Sequence, residues 1–504
     1  MASPSRLSID SQSSRHSDRS SPSSSNLSDR STSALIPVHE SEDEEQSFVI
    51  ADEEDIPEDV STPGDDLSPS VAFGYFLSPH LKLGSMLVLS SQAQLKLSLP
   101  VLFVFAFLSA FSRQIWFLLA RYIRPDLNEI VAEAVARGRG KERQRSIAKF
   151  LTSVLSAVMR ILLATVYLKG AISCMEPLWP SRLSFIPSPL ALSVIFLLVA
   201  SPISLSPMLA SKRLVYSNGV SNALYIVWLC IIIYAHAAGV LNTDNVMVPQ
   251  GQLLDDITAV AFAFSSVSNL HIYSGLASQR GTGDRKERRY LSISSISFAA
   301  TLVGACLILP VLFPSVKSHG EKESTEISSF VKALLATITA FILLLAIPPL
   351  IATSPAIIMP FTLAGVSRRT VGKYAYLVVL FLLSLLPRAL EPVLEDTAVL
   401  LVLLSNYFLP ALLHIVVHII RRPISILVDR PLLHHTSGVV SDDEEVGAFG
   451  YDRETEELLL RKERALQRRR LGQRIIWDLG VWILLVPVGG GGMVWAIGRL
   501  VHAW

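Results

Sequence analysis

The chain has 504 residues, 50% hydrophobic and 17% charged, with a mean hydropathy of +0.45. A water-soluble fold of this size has no interior large enough for so much apolar surface, so a multi-spanning membrane protein is the expected class. A net charge of +1 argues against a nucleic-acid partner, and three scattered cysteines, Cys174, Cys230 and Cys306, read as small buried hydrophobes rather than a disulfide or metal framework.

Residues 1–66 read as a disordered cytosolic tail. Serine dominates its first half, and an acidic run from Glu40 to Asp66 contains no Lys or Arg, so the segment has too little apolar surface to fold. No apolar stretch of signal-peptide type precedes residue 35. The serines are potential phosphorylation sites, a regulatory role for the tail.

Apolar stretches of spanning length follow at 99–120, 150–174, 188–209, 220–241, 257–277, 291–313, 330–351, 371–387, 397–420 and 475–500. An eleventh candidate, 71–95, is interrupted by Pro79, His80 and Lys82. Basic residues concentrate at 121–149, 212–213, 280–289, 368–373 and 421–474, while the intervening connections carry few. The positive-inside rule therefore makes the basic loops cytosolic and puts Trp504 outside the cytosol. A cytosolic tail then requires 71–95 to cross, giving eleven spans; ten spans with an external tail is the alternative. Domain by domain, 67–420 is expected to hold spans one to ten, 421–474 a long charged cytosolic loop, and 475–504 the eleventh span. Leu458, Leu459, Leu460, Leu466 and Leu471 space that loop's second half as an amphipathic helix or a solvated linker.

The sixth span poses the sharpest question. "AVAFAFSSVSNLHIYSGL" begins as an ordinary crossing, then sets Ser265, Ser266, Ser268 and Asn269 near its centre. One serine can return its hydroxyl to a carbonyl a turn back. Three serines and an asparagine within five residues point instead to a broken helix facing protein or water, as in secondary transporters.

That segment resembles the sixth span of the amino acid/auxin permease family, which includes vacuolar, vesicular and sodium-coupled neutral amino acid transporters. There a Phe-Ala-Phe run leads into a polar break and an apolar ending like Ile272, Tyr273 and Leu276. "SNYFLPALLHIVVHIIRRP" is similar to the family's tenth span, and "LLLAIPPLIATSPAIIMPF" resembles the proline-bearing end of the eighth. Two departures accompany the likeness. Ser266 and Val267 stand where many relatives have Cys-His, and the first span has Gly74, Ser78 and Gly84 but no paired Gly-x-Gly motif.

What the resemblance implies is an all-α, leucine-transporter-like fold: two inverted five-helix repeats plus an eleventh helix, with the first and sixth spans broken around a central site. It makes Ser265, Ser266, Ser268, Asn269, Gly74 and Ser78 the substrate-binding residues, with Thr337 and Thr339 as candidates for a coupling cation. His236, deep in the fifth span, is a candidate for a proton path or a packed histidine. The expected function is secondary active transport of an amino acid by alternating access, in a vacuolar or other endomembrane or in the plasma membrane. No cofactor is expected beyond H+ or Na+. Partners are the amino acid, the bilayer and regulators reaching the tail or the 421–474 loop. The alternative is a transport-inactive sensor or scaffold of the same architecture.

Other polar residues have plainer readings. Arg160, inside the third span, pairs with a neighbouring helix or faces water, while Arg113 and Lys169 are near enough to helix ends to snorkel. His414 and His418 lie one turn apart without an evident third ligand, which disfavours zinc. Asn406 suits interhelical bonding, Glu391, Glu395 and Asp396 suit a solvated interface, and "VPVGGGGMVWAIG" suits close helix packing or a kink. No catalytic or nucleotide-binding pattern stands out, so no enzyme is expected.

Overall fold

The computed structural model describes residues 67–82, 84–86, 95–122, 126–136, 141–179, 187–206, 208–237, 253–265, 270, 272–273, 284–312, 329–355, 368–420, 475 and 477–501. Every regular element among them is helical. The expected tail at 1–66 and the loop at 421–474 lie outside the described residues.

In chain order the helices are α1 Pro69–Leu77, α2 Leu95–Tyr122, α3 Leu127–Val135, α4 Glu142–Met175, α5 Ser188–Ser204 and α6 Lys212–Ala237, then α7 Leu253–Ala263, α8 Asp284–Ile308, α9 Ser329–Ala352, α10 Arg368–Ser384 and α11 Glu391–Leu403. The last, α12 Gly491–Leu500, follows a π-helical turn at Leu484–Gly490, and α11 runs on through π turns at Leu404–Phe408 and Ile415–Ile420. Seven helices are long and apolar enough to cross a bilayer, and Ser188–Ser204 and Val371–Ser384 are shorter apolar ones. Each overlaps a stretch that the hydropathy pattern marks. A helix satisfies its own backbone, which is why it suits a medium without water.

Side-chain distribution agrees with a lipid environment. Phe107 on α2 is 66% exposed and Leu198 on α5 is 70% exposed. Cys230 and Cys306 also lie on the exposed surface and Cys174 is half-buried, so the reading of all three as buried core hydrophobes fails. They sit in apolar helices whose outer faces are themselves apolar.

Two buried clusters organise the interior. One joins α1, α2, α6, α8 and the end of α7 with Tyr407 and its neighbours; the other joins α4, α5, α9 and α10. The end of α7 straddles the seam, since Phe262 packs in the second cluster and Ala263 and Phe264 in the first. α9 packs against α4, α5 and α6, while α1 packs on α8.

Candidate functional site

Two helices stop in the same place. α1 tightens into a 3₁₀ turn over Ser78–Leu81, where Pro79 removes a backbone donor, and Lys82 leaves helical space at φ −112° and ψ −141°. Helix resumes at residues 84–86. α7 ends at Ala263, with Phe264 in a turn and Ser265 in irregular backbone. The break expected in the 257–277 stretch therefore falls where the serine cluster begins, and the chain after α1 breaks as well, without the paired glycines that the resemblance called for. The breaks touch at Gly84: a Cβ there would lie 2.3 Å from Ala263 Cα, so only glycine lets the two backbones meet.

A helix end exposes its last carbonyls, and buried ones need donors. At α7 each receives one from a side chain. Tyr407 Oη donates to Ala261 O at 3.0 Å. Ser265 serves Phe262 O twice, through its N–H at 3.0 Å and its Oγ at 2.6 Å. His80 Nδ1 lies 3.1 Å from Ala263 O, and Ser109 Oγ donates to Phe264 O at 2.6 Å. These carbonyls are held by protein groups. The backbone acceptors of residues 261–264 are therefore already engaged, and any offered to a solute lie beyond Phe264.

His80 also fixes what lies behind the break. Its Nε2 sits 2.7 Å from Nη2 of Arg113. Guanidinium nitrogens only donate, so Nε2 accepts, and the proton must be on Nδ1, facing Ala263 O. Arg113 further donates to Phe76 O and Thr301 Oγ1, each at 3.2 Å. One arginine thus ties α1, α2, α8 and the end of α7 together. The reading of Arg113 and Lys169 as snorkelling cations fails: they are only 2% and 8% exposed, and Lys169 Nζ donates to Leu386 O at 3.2 Å. A buried charge is tolerable when its donors are met in this way.

Beside the breaks, at the seam between the clusters, lies a cavity of about 80 Å³ measured for the centres of water molecules, room for several of them. Its walls come from the first helix (Tyr75, Ser78, Lys82), α4 (Leu163, Tyr167), α6 (Asn218), the sixth-span break (Phe262, Ser265, Ile272) and α9 (Pro349, Thr353). Ser78 Oγ and Asn218 Oδ1 are buried and have no hydrogen-bond partner among the described residues. Such groups are costly in a dry interior. They are reasonable in a cavity that holds water or a polar solute.

Of the sequence-derived binding residues, Ser265 and Ser78 line this cavity. Gly74 sits one turn away and faces α6, its carbonyl accepting from Asn222 Nδ2 at 3.3 Å. Ser266, Ser268 and Asn269 lie outside the described residues, as does the His236 side chain. Thr337 and Thr339 on α9 are not brought to the cavity, and Thr337 Oγ1 returns to Ala333 O at 2.7 Å. The eighth span contributes Thr353 instead, a full helical turn beyond Pro348 and Pro349. Lys82, Tyr167 and Asn218 were missed: hydropathy scored Lys82 as a flaw in a span, and Asn218 fell at a presumed interface.

Elsewhere, Arg160 is buried and lines a small second cavity with Ser354 and Tyr376. Trp477 Nε1 donates to His414 Nε2 at 3.2 Å, and Asn406 Nδ2 donates to Val402 O at 2.9 Å. Asp396, read as a solvated carboxylate, pairs with Arg499 at 3.1 Å.

By the length and composition of its helices, the chain is a multi-span helical membrane protein. Neither a scan against protein-family models nor a search of curated proteins found a match.

Proposed function

We propose that the chain is a secondary active transporter that moves amino acids across an endomembrane by alternating access, with protons as the coupling ion. In this reading the helices form two inverted five-helix repeats and an eleventh span, in the leucine-transporter-like manner of the amino acid/auxin permeases. One observation supports it above the rest: a cavity with a mostly apolar wall and a few polar groups, Ser78, Lys82, Asn218, Ser265 and Thr353, sits where the first and sixth helices both break, walled by the third, fifth and eighth spans. Broken helices around a central cavity are how such transporters hold a solute and expose it alternately to each side.

The test is uptake of a panel of labelled amino acids by the purified full chain in liposomes, with and without a pH gradient. The reading expects uptake that rises with an inward proton gradient and is lost in Asn218→Leu while the protein still elutes as a folded species. Replacing a buried amide whose oxygen has no hydrogen-bond partner among the described residues by an apolar group need not destabilise. Stabilisation by an amino acid without flux in any gradient would point instead to a sensor.

A further inference from the structure

One group in the cavity has no explanation in the fold. Lys82 lies at the break of the first helix, lines the cavity and is only 6% exposed. Among the described residues its ammonium has no hydrogen-bond acceptor and no carboxylate partner. Of the other buried cations, Arg113 is held by Phe76 O, Thr301 and His80, Lys169 by Leu386 O, and Lys373 by Ser206 O, while Arg160 lies at the separate second cavity. Lys82 is the cation that faces the cavity, with no acceptor for its ammonium among the described residues.

Sequence confirms that no acid is close along the chain. None of the cavity-lining residues is acidic. Between Asp66 and Asp126 there is no Asp or Glu at all, nor between Glu176 and Asp244 or between Glu326 and Glu391. Those stretches include the first, fourth, fifth, eighth and ninth apolar segments. Segments 266–283 and 356–367, which flank lining residues, are also free of acids. The wall therefore carries one positive charge and no negative one. A zwitterionic solute with one carboxylate and one ammonium leaves that charge uncompensated. A solute with one more carboxylate than ammonium cancels it, and removing an unpaired charge from a low-dielectric site is strongly favourable.

We propose that the solute taken by this cavity is a net anion whose carboxylate sits on the Lys82 ammonium, the class represented by acidic amino acids. Ser78 Oγ, buried and unpartnered on the same broken helix, donates a second hydrogen bond to that carboxylate. This rests on the transport reading, and it names which amino acids that reading concerns.

The experiment uses the full chain in liposomes and three labelled probes: L-glutamate, L-alanine and pyruvate, each also tested for thermal stabilisation in detergent. Glutamate is expected to be taken up roughly tenfold faster than alanine, with the preference lost in Lys82→Met and kept in Lys82→Arg. Should pyruvate match glutamate while alanine is excluded, the anion site stands and the amino acid reading falls. Alanine uptake equal to that of glutamate overturns the inference and leaves an amino acid transporter in place. A glutamate preference that survives in Lys82→Met removes Lys82 from the site. If no probe is moved or stabilises the protein, both readings fail. Were Lys82→Met lost to misfolding, the wild-type ratio of glutamate to alanine would decide alone.

Discussion

Helix backbones meet through glycine in two regions of the chain, with different results. At Gly84, beside Ala263, both helices end, and a cavity lines the junction. At Gly489 an added Cβ would lie 2.9 Å from Phe408 Cα, yet neither helix ends: each widens into a π turn, Leu404–Phe408 against Leu484–Gly490, and runs on. The difference lies in the polar groups nearby. The 261–264 carbonyls lose their helical partners and need donors from Tyr407, His80, Ser109 and Ser265. A π turn keeps backbone bonds in the helix and needs no such help. Glycine contact alone brings helices close; a cavity arises where polar groups from several helices must also be accommodated.

Substitutions at the two contacts should separate in size and kind. Gly84→Val sets a side chain against backbone that cannot yield, and the expected cost is about 3 kcal/mol or more, read as loss of the folded peak on detergent gel filtration. His80→Leu leaves Ala263 O without its donor and Arg113 without its acceptor. A loss of roughly 2–3 kcal/mol is expected, measured by thermal unfolding, with uptake falling alongside. Tyr407→Phe frees only Ala261 O and should cost about 1–2 kcal/mol. Gly489→Ala is expected to lower stability by about 1–2 kcal/mol as well, but to leave solute selectivity unchanged, because Gly489 does not line the cavity at the broken helices. If Gly489→Ala altered selectivity as much as His80→Leu did, the two contacts would not differ in the way described.

The smallest effect lies outside both regions. Glu129 on α3 bridges Arg145 at 2.8 Å and Lys149 at the start of α4. Partial burial alone would raise its pKa, but hydrogen bonds from Lys149 and Arg145 outweigh that and hold it below the usual carboxylate value. A lowered folded pKa adds stability that is present above the unfolded carboxyl pKa and fades as pH falls through the folded one. Both cations are more than a third exposed, so screening keeps the contribution near 0.5 kcal/mol. Glu129→Gln should lower the melting temperature slightly at pH 7, and by progressively less as pH falls through the folded carboxyl pKa.

How far the sequence was legible follows from the range of the interactions involved. Apolar stretches placed the helices because each spanning helix satisfies its backbone internally, a local property. The break after Phe264 was legible for the same reason: four small polar residues within five positions leave a local mark. Its partners were not. His80 reaches Ala263 across 183 positions and Ser109 reaches Phe264 across 155, and no window along the chain contains both. Pro79, His80 and Lys82 looked like defects of a weak first span, when two of the three line the cavity and the third caps the opposite break. Thr337 and Thr339 followed from the family resemblance, whereas Thr353, beyond the Pro348–Pro349 pair, is the residue at the wall.

The central claim is that water reaches the junction of the two broken helices and not the junction of the two π turns. In a variant with Cys174, Cys230 and Cys306 replaced by alanine, single cysteines at Ser78, Asn218 and Asn406 can be titrated with a small charged thiol reagent in liposomes. Ser78→Cys and Asn218→Cys are expected to be modified, with excess solute protecting them, while Asn406→Cys stays unreactive. Equal reactivity at all three positions, or none at Ser78 and Asn218, would contradict that claim.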